Sequence, residues 1–356
     1  MNHINLTIAV LAVLGVFVGT GFRAAQGRSQ AATTTAPAVG FTLPAAWVMS
    51  PPLISPEKRE KDPSVSVKDP TMVFHEGRWH MFMTIRPEGW TPTEYLSFDK
   101  WENAGKAPRT VLKVHDGKYY CAPQVFYFRP QKKWYLVYQA GAPGRKFMHV
   151  AYSITGDIGK PESWTKAQWC FPDDANDPRK EGGLDYWIIC DAARAYLFFT
   201  SLNGKMWRLW TKLEDFPNGF GHCELALSAD IFEASHTYRL KGLDKYLTIV
   251  EANPGGKRYY KAYVADRLDG AWTALADSEK KPFAGAANVR PAAGGELWAD
   301  NISHGELLRD GVDETMTVDP QDLRMVFQGV LEKDKAGKPY GKIPWRIGLL
   351  TPAKTD

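Results

Sequence analysis

Cysteine is scarce in this chain, four residues among 356, and none stands in a paired CxxC spacing. That removes the common zinc frameworks and any dense disulfide scaffold. Cys121 and Cys190 fall inside apolar runs and read as buried thiols, so no bridge is assigned. Charge of one sign is lacking too: 44 Lys and Arg stand against 40 Asp and Glu, a net +4 with no Arg-rich stripe. A nucleic-acid partner is therefore not expected. Long apolar runs are missing beyond residue 22. The one such run, residues 4–22 (INLTIAVLAVLGVFVGTGF), has its strongest part at 8–18, short for a bilayer span. Followed by Arg23 and small residues, it reads as a signal peptide over 1–27, which predicts a secreted protein without a stable membrane partner. Its basic flank is thin, and an uncleaved anchor is the alternative.

What the chain does have is aromatics and turn formers: 13 Trp, 15 Tyr, 17 Phe, 31 Gly and 24 Pro. That mixture favours many short strands over long helices. Residues 28–40 (RSQAATTTAPAVG) are Ala/Thr-rich, carry no periodicity and read as a linker. From 41 to 356 no second linker interrupts the chain, which predicts one catalytic domain. Within it a strand–turn–strand unit recurs, opened by Asp69, Gln124, Asp185, Glu233 and Ile302. The starts lie roughly fifty to seventy residues apart, the length of a four-stranded propeller blade. The fold expected is all-β, a five-bladed β-propeller, with a generic β-sandwich as the alternative.

In a propeller the innermost strands line a central channel, so residues that open successive units converge on one mouth. Three of the five openers are acidic: Asp69, Asp185 and Glu233. Glycosidic hydrolysis needs a carboxylic acid to protonate the leaving oxygen and a carboxylate to activate water or attack carbon. A third carboxylate beside the acid raises its proton affinity by like-charge repulsion. Singly, each of these acids is a common cap or surface group; their shared place in the repeat is what points to chemistry.

The stretches around them are 68–71 (KDPT), 122–128 (APQVFYF), 134–139 (WYLVYQ), 185–191 (DYWIICD) and 232–234 (FEA). They continue with 246–252 (YLTIVEA), 282–289 (PFAGAANV), 302–306 (ISHGE) and 344–350 (PWRIGLL). On this ordered set the sequence resembles glycoside hydrolase family 62, the α-L-arabinofuranosidases. The resemblance implies an inverting enzyme that removes arabinofuranosyl side groups from arabinoxylan or arabinan. It implies Asp69 as general base, Glu233 as general acid and Asp185 as the residue that tunes the acid and orients the sugar. Lys68, Gln124, Arg258 (in 257–260, KRYY) and Tyr340 (in 339–341, PYG) are implied as substrate contacts, with structural roles as the alternative for each.

The resemblance further implies a calcium ion in the channel, at or near His304, with waters completing its shell because calcium prefers oxygen ligands. No organic cofactor is expected, and the protein is expected to act as a monomer on plant cell-wall polysaccharide. Two other readings stand beside this one: a family 43-like xylosidase or arabinanase, and a propeller that binds glycans without cleaving them. Cys121 departs from the family's small alanine-like residue, and the segment between Asp185 and Glu233 is shortened, which leaves the preferred polysaccharide open.

Overall fold

The computed structural model describes residues 40–61, 63–141 and 144–354. The expected signal peptide, and all of the expected linker but Gly40, lie outside the described residues. From Gly40 onward the chain arranges its strands in five sheets, each a blade of a β-propeller. The inner strands are Val67–His75, Tyr120–Phe128, Leu184–Cys190, Glu233–Leu240 and Asn301–Leu307, taken here as blades I to V in that order. Each of the five repeat openers lies on one of these strands.

In blades I to IV the second strand returns by a tight turn: Arg78–Ile85, Lys133–Ala140, Arg194–Thr200 and Tyr246–Ala252. Blade V differs. The strand–turn–strand unit opened by Ile302 would fold back at once, but the inner strand pairs with Met325–Val330 instead. Thr317–Val318, between them, pairs in parallel with the inner strand of blade IV. The ring is closed by the amino-terminal strand Trp47–Met49, which pairs antiparallel with Arg346–Pro352 and parallel with Val289–Pro291. Both ends of the domain thus share one sheet. Trp47 is fully buried there, and its indole N–H donates to the Phe283 carbonyl at 2.6 Å.

Inner strands are covered on both faces by neighbouring blades, so they read as near-continuous buried runs rather than strict alternation. VKDPTMV at the start of blade I is buried along its whole length, charged residues included. Burying Lys and Asp in a strand is costly unless they are paired, which directs attention to the channel mouth.

All five inner strands carry the same irregularity near their start. Asp69, Ala122, Asp185, Ala234 and His304 have φ of 50°, 50°, 57°, 51° and 26°, in the left-handed region. At each, the register to the second strand shifts, between Lys68 and Thr71, Cys121 and Gln124, Leu184 and Trp187, Glu233 and His236, and Ser303 and Glu306. Such a β-bulge re-aims a side chain, and each non-glycine left-handed residue costs about 1–3 kcal/mol.

The bulges free backbone N–H groups, and side chains from the preceding blade answer them in a ring. Thr84 accepts from Ala122 N–H at 2.9 Å, Gln139 from Asp185 N–H at 3.0 Å, Glu251 from His304 N–H at 2.8 Å and Gln328 from Asp69 N–H at 2.9 Å. All four acceptors sit on second strands. The fifth link breaks the pattern. Ala234 N–H donates to Asp185 Oδ2 at 3.0 Å, and Thr200, the blade III residue at the matching position, leaves its hydroxyl without a partner.

Candidate active site

Asp69, Asp185 and Glu233 come from blades I, III and IV and are 5%, 5% and 9% exposed. The two aspartates converge on His304 of blade V. Its Nδ1 lies 3.3 Å from Asp69 Oδ1 and 3.8 Å from Asp185 Oδ1. Asp185 reaches the peptide that follows Glu233 through the Ala234 N–H, so the three acids form one connected group. Beneath them, the His304 ring meets His236 at 5.2 Å, and His236 stacks on Trp187 at 4.3 Å with 22° between the planes. His236 is held in place by the Gly305 carbonyl at 2.8 Å from its Nδ1. Burial pushes both histidines below the ordinary imidazole value.

Burial alone raises a carboxyl's proton affinity, yet Asp69 is pushed down. Lys68, whose Nζ is 3.7 Å from Asp69 Oδ2, and then His304 outweigh burial. Asp185 goes the other way. Burial, then the charges of Glu233 and Asp69, push it well above the carboxylate range. Two carboxyls in one pocket thus have their proton affinities driven apart, as in sites that move protons.

Of the four expected substrate contacts, three stand at this mouth. Lys68 is buried; burial opposes its charge, but Asp69 and Tyr340 prevail and its ammonium is held charged. Its Nζ donates to the Tyr340 hydroxyl at 3.1 Å and lies 4.8 Å from that ring's centroid. Tyr340 turns its hydroxyl inward while 45% of its surface stays exposed, which makes it an aromatic wall at the rim. Arg258 sits in a box of three rings, 4.7 Å from the Phe232 centroid, 5.4 Å from Trp345 and 5.7 Å from Tyr340. Its Nη1 donates to Glu233 Oε1, to Glu251 Oε1 at 2.7 Å and to the Ser303 hydroxyl at 3.1 Å.

Gln124 is a correction. It is buried, and its amide reaches across to blade III: Nε2 donates to the Ile188 carbonyl at 2.7 Å and to Met316 Sδ at 3.5 Å, and Oε1 accepts from Ile188 N–H at 2.7 Å. A buried amide bonded in this way is a staple between blades, with both of its N–H donors taken. Gln124→Leu is expected to lose about 1–3 kcal/mol of stability in a urea titration, because it leaves both Ile188 groups unpaired. Substrate affinity should stay unchanged; a large rise in KM at unchanged stability would restore the binding role.

His304 supplies one imidazole for the expected calcium ion. With Nδ1 turned to the aspartates, Nε2 is the nitrogen left for a metal. Among the described residues no group of three His, Cys, Asp or Glu is arranged to hold an ion. Among the described residues there is thus no ready-made carboxylate cage, and the donors fit an ion carried mostly by water on one imidazole nitrogen.

Glu251 was not singled out from the sequence. It is completely buried, burial pushes its carboxyl up to about 7, and it joins Arg258, Ser303 and His304. The signal was present: in YLTIVEA a carboxylate follows Leu247 and Ile249 at the strand period, where an apolar side chain belongs.

Residues 47–351 match the family described as Glycosyl hydrolase family 62. A curated relative, alpha-L-arabinofuranosidase C of Cellvibrio japonicus, is 39% identical over 315 residues, 86% of this chain and 47% of its own. The chain thus spans about half the length of that relative. Among solved structures, the catalytic domain of the Coprinopsis cinerea family 62 α-L-arabinofuranosidase superposes with a TM-score of 0.79 at 37% identity, covering 86% of this chain and 97% of that one. The Podospora anserina α-L-arabinofuranosidase, solved in complex with cellotriose, gives 0.79 at 34% identity over 87% and 98%. The match spans all five blades and the three acids at their mouth, and the chain belongs to glycosyl hydrolase family 62.

Proposed function

We propose that the protein is an inverting α-L-arabinofuranosidase that releases arabinofuranosyl side groups from a plant polysaccharide such as arabinoxylan. The observation that carries this reading is the pair of aspartates around His304, one pushed down and one pushed up, joined to Glu233 through the Ala234 peptide. Asp69, ionised beside Lys68, takes a proton from the attacking water. The water oxygen forms its bond to the anomeric carbon as the bond from that carbon to the leaving oxygen breaks, and Glu233 gives its proton to that oxygen. Asp185 fixes the peptide after Glu233. Lys68, Arg258 and Tyr340 supply charge and an aromatic wall suited to sugar hydroxyls and a ring face. The Cellvibrio japonicus and Coprinopsis cinerea relatives, both α-L-arabinofuranosidases, support the same substrate class.

The test is to identify the sugars released from arabinoxylan, arabinan and xylooligosaccharides, with NMR reading the anomer formed first. Arabinose from arabinoxylan in inverted configuration is the expected result. Xylose, or internal cleavage of arabinan, would replace this reading with a family 43-like specificity; glycan retention without turnover would replace it with a lectin.

A water-carried calcium ion on His304 is part of the proposal, as is export directed by residues 1–27. The ion would stiffen the channel floor and is assigned no step in the reaction. Chelation is expected to lower Tm while the two aspartates keep their places, and calcium should restore it. A Tm indifferent to both treatments, with no calcium in elemental analysis, would remove the ion. Amino-terminal sequencing of the exported protein tests the leader.

A further inference from the structure

Glu233 and Glu251 face each other as a cross-strand pair in blade IV. Like charges directly opposite on a sheet repel and are destabilising. The fold resolves this with one cation: Arg258 Nη1 donates to an oxygen of each. The two carboxyls are otherwise unlike. Glu233 borders the mouth, whereas Glu251 is 0% exposed. Glu251 Oε2 accepts from the Ser303 hydroxyl at 3.0 Å and from His304 N–H at 2.8 Å. Both of its oxygens are thus met by donors from two blades, an arrangement only a carboxylate satisfies. An amide would set its own N–H groups against a guanidinium, or against a hydroxyl and a backbone N–H.

The pairing matters because of what Glu233 must do. A guanidinium beside a single carboxyl favours that carboxyl's charged form, which is the wrong form for a proton donor. Shared between two carboxyls, the same cation orients the acid without being neutralised by it alone.

We propose that Glu251 is a positioning residue for this reaction: it anchors Arg258, through the Ser303 and His304 corner of blade V, so that Glu233 is held ready to donate its proton to the leaving oxygen. This rests on the hydrolase reading above. Glu251 is 0% exposed, so it presents no face to substrate and acts through Arg258, whose Nη1 it shares with the acid. Its loss should therefore be felt most where the leaving group needs a proton.

The experiment compares wild type, Glu251→Gln and Ser303→Ala on arabinoxylan, whose leaving alcohol must be protonated, and on 2,4-dinitrophenyl α-L-arabinofuranoside, whose leaving phenolate need not be. Glu251→Gln should lose on the order of 10–10² fold in kcat on arabinoxylan, part of the 10²–10⁴ that general acid catalysis contributes, and far less on the aryl glycoside. KM should move less than about threefold, because Arg258 keeps Glu233 and Ser303 as acceptors. Ser303→Ala, which removes one donor from Glu251 and perturbs the fold less, should show the same selectivity at smaller size.

Equal losses on both substrates in both folded variants would reduce Glu251 to a structural residue and overturn the proposal, as would full activity on both. If Glu251→Gln does not fold, Ser303→Ala decides alone. Wild-type protein that releases no arabinose from either substrate would instead sink the hydrolase reading itself.

Discussion

Glu233→Gln should lose about 10³-fold in kcat on arabinoxylan, within the 10²–10⁴ that a positioned proton donor supplies, while retaining most of its affinity for the polysaccharide. The substitution keeps side-chain length and, through its amide oxygen, the acceptor that meets Arg258 Nη1. What goes is the proton. Asp69 still sits beside Lys68, Tyr340 still walls the mouth, and Asp185 still accepts the Ala234 N–H. The site is thus left with an activated water and no donor for the leaving oxygen. Isothermal titration with an arabinoxylan oligosaccharide reads binding, and initial rates on the polymer read turnover. Residual activity above about a hundredth of wild type would move the acid's role elsewhere, since a positioned proton donor typically contributes 10²-fold or more.

The architecture was legible because the repeat is local. In blades I to IV each unit is an inner strand and its immediate hairpin partner, with a turn that the sequence announces, as in the Glu76-Gly77 step between Val67–His75 and Arg78–Ile85. Blade V was misread for the same reason. Its inner strand finds its partner at Met325–Val330 across an insertion, and Trp47–Met49 closes the sheet from the far end of the domain. Nothing in a local pattern marks pairing over such a separation. The outer strands Arg109–Val111 and Gln168–Trp169 are too short for any periodicity to register.

At the site, residue type and repeat position together located the acids, yet not their division of labour. Asp69 and Asp185 share residue type, backbone conformation and place in the blade. They part in proton affinity because Asp69 follows Lys68, whereas Asp185 follows Leu184 and faces Glu233. Part of that contrast is written in the two preceding residues. The rest depends on which blades face each other across the channel, which only the fold supplies. Gln124 shows the converse. The sequence left a substrate contact and a structural role open for it, and the structure shows its amide bonded to the Ile188 backbone.

Asp185→Asn is expected to cost activity and add stability, and the second effect has a defined pH dependence. Asp185 is 5% exposed, with burial and the charges of Glu233 and Asp69 raising its proton affinity well above the ordinary value. Between the unfolded carboxyl's value near 4 and this raised one, the folded protein holds a proton that the unfolded chain has released. Wild-type stability contributed by this group therefore falls as pH rises through that window and levels off above it. Asparagine carries no such proton, and its carbonyl oxygen still accepts the Ala234 N–H that Thr200 leaves unanswered. The Tm difference, variant minus wild type, should be near zero around pH 4 and widen toward pH 8, by about 2–4 °C for each kcal/mol of repulsion relieved in a domain of this size. Activity on arabinoxylan should fall on the order of 10²-fold, because the charge that helps hold the proton at the acid is gone. Thermal melts at pH 4, 6 and 8 decide the matter. A gap that stays flat or narrows with rising pH would mean that Asp185 is ionised without penalty, and the like-charge repulsion assigned to it is not there. A widening gap beside lost turnover would show the chain giving up stability at this one aspartate in return for catalysis, as strained sites commonly do.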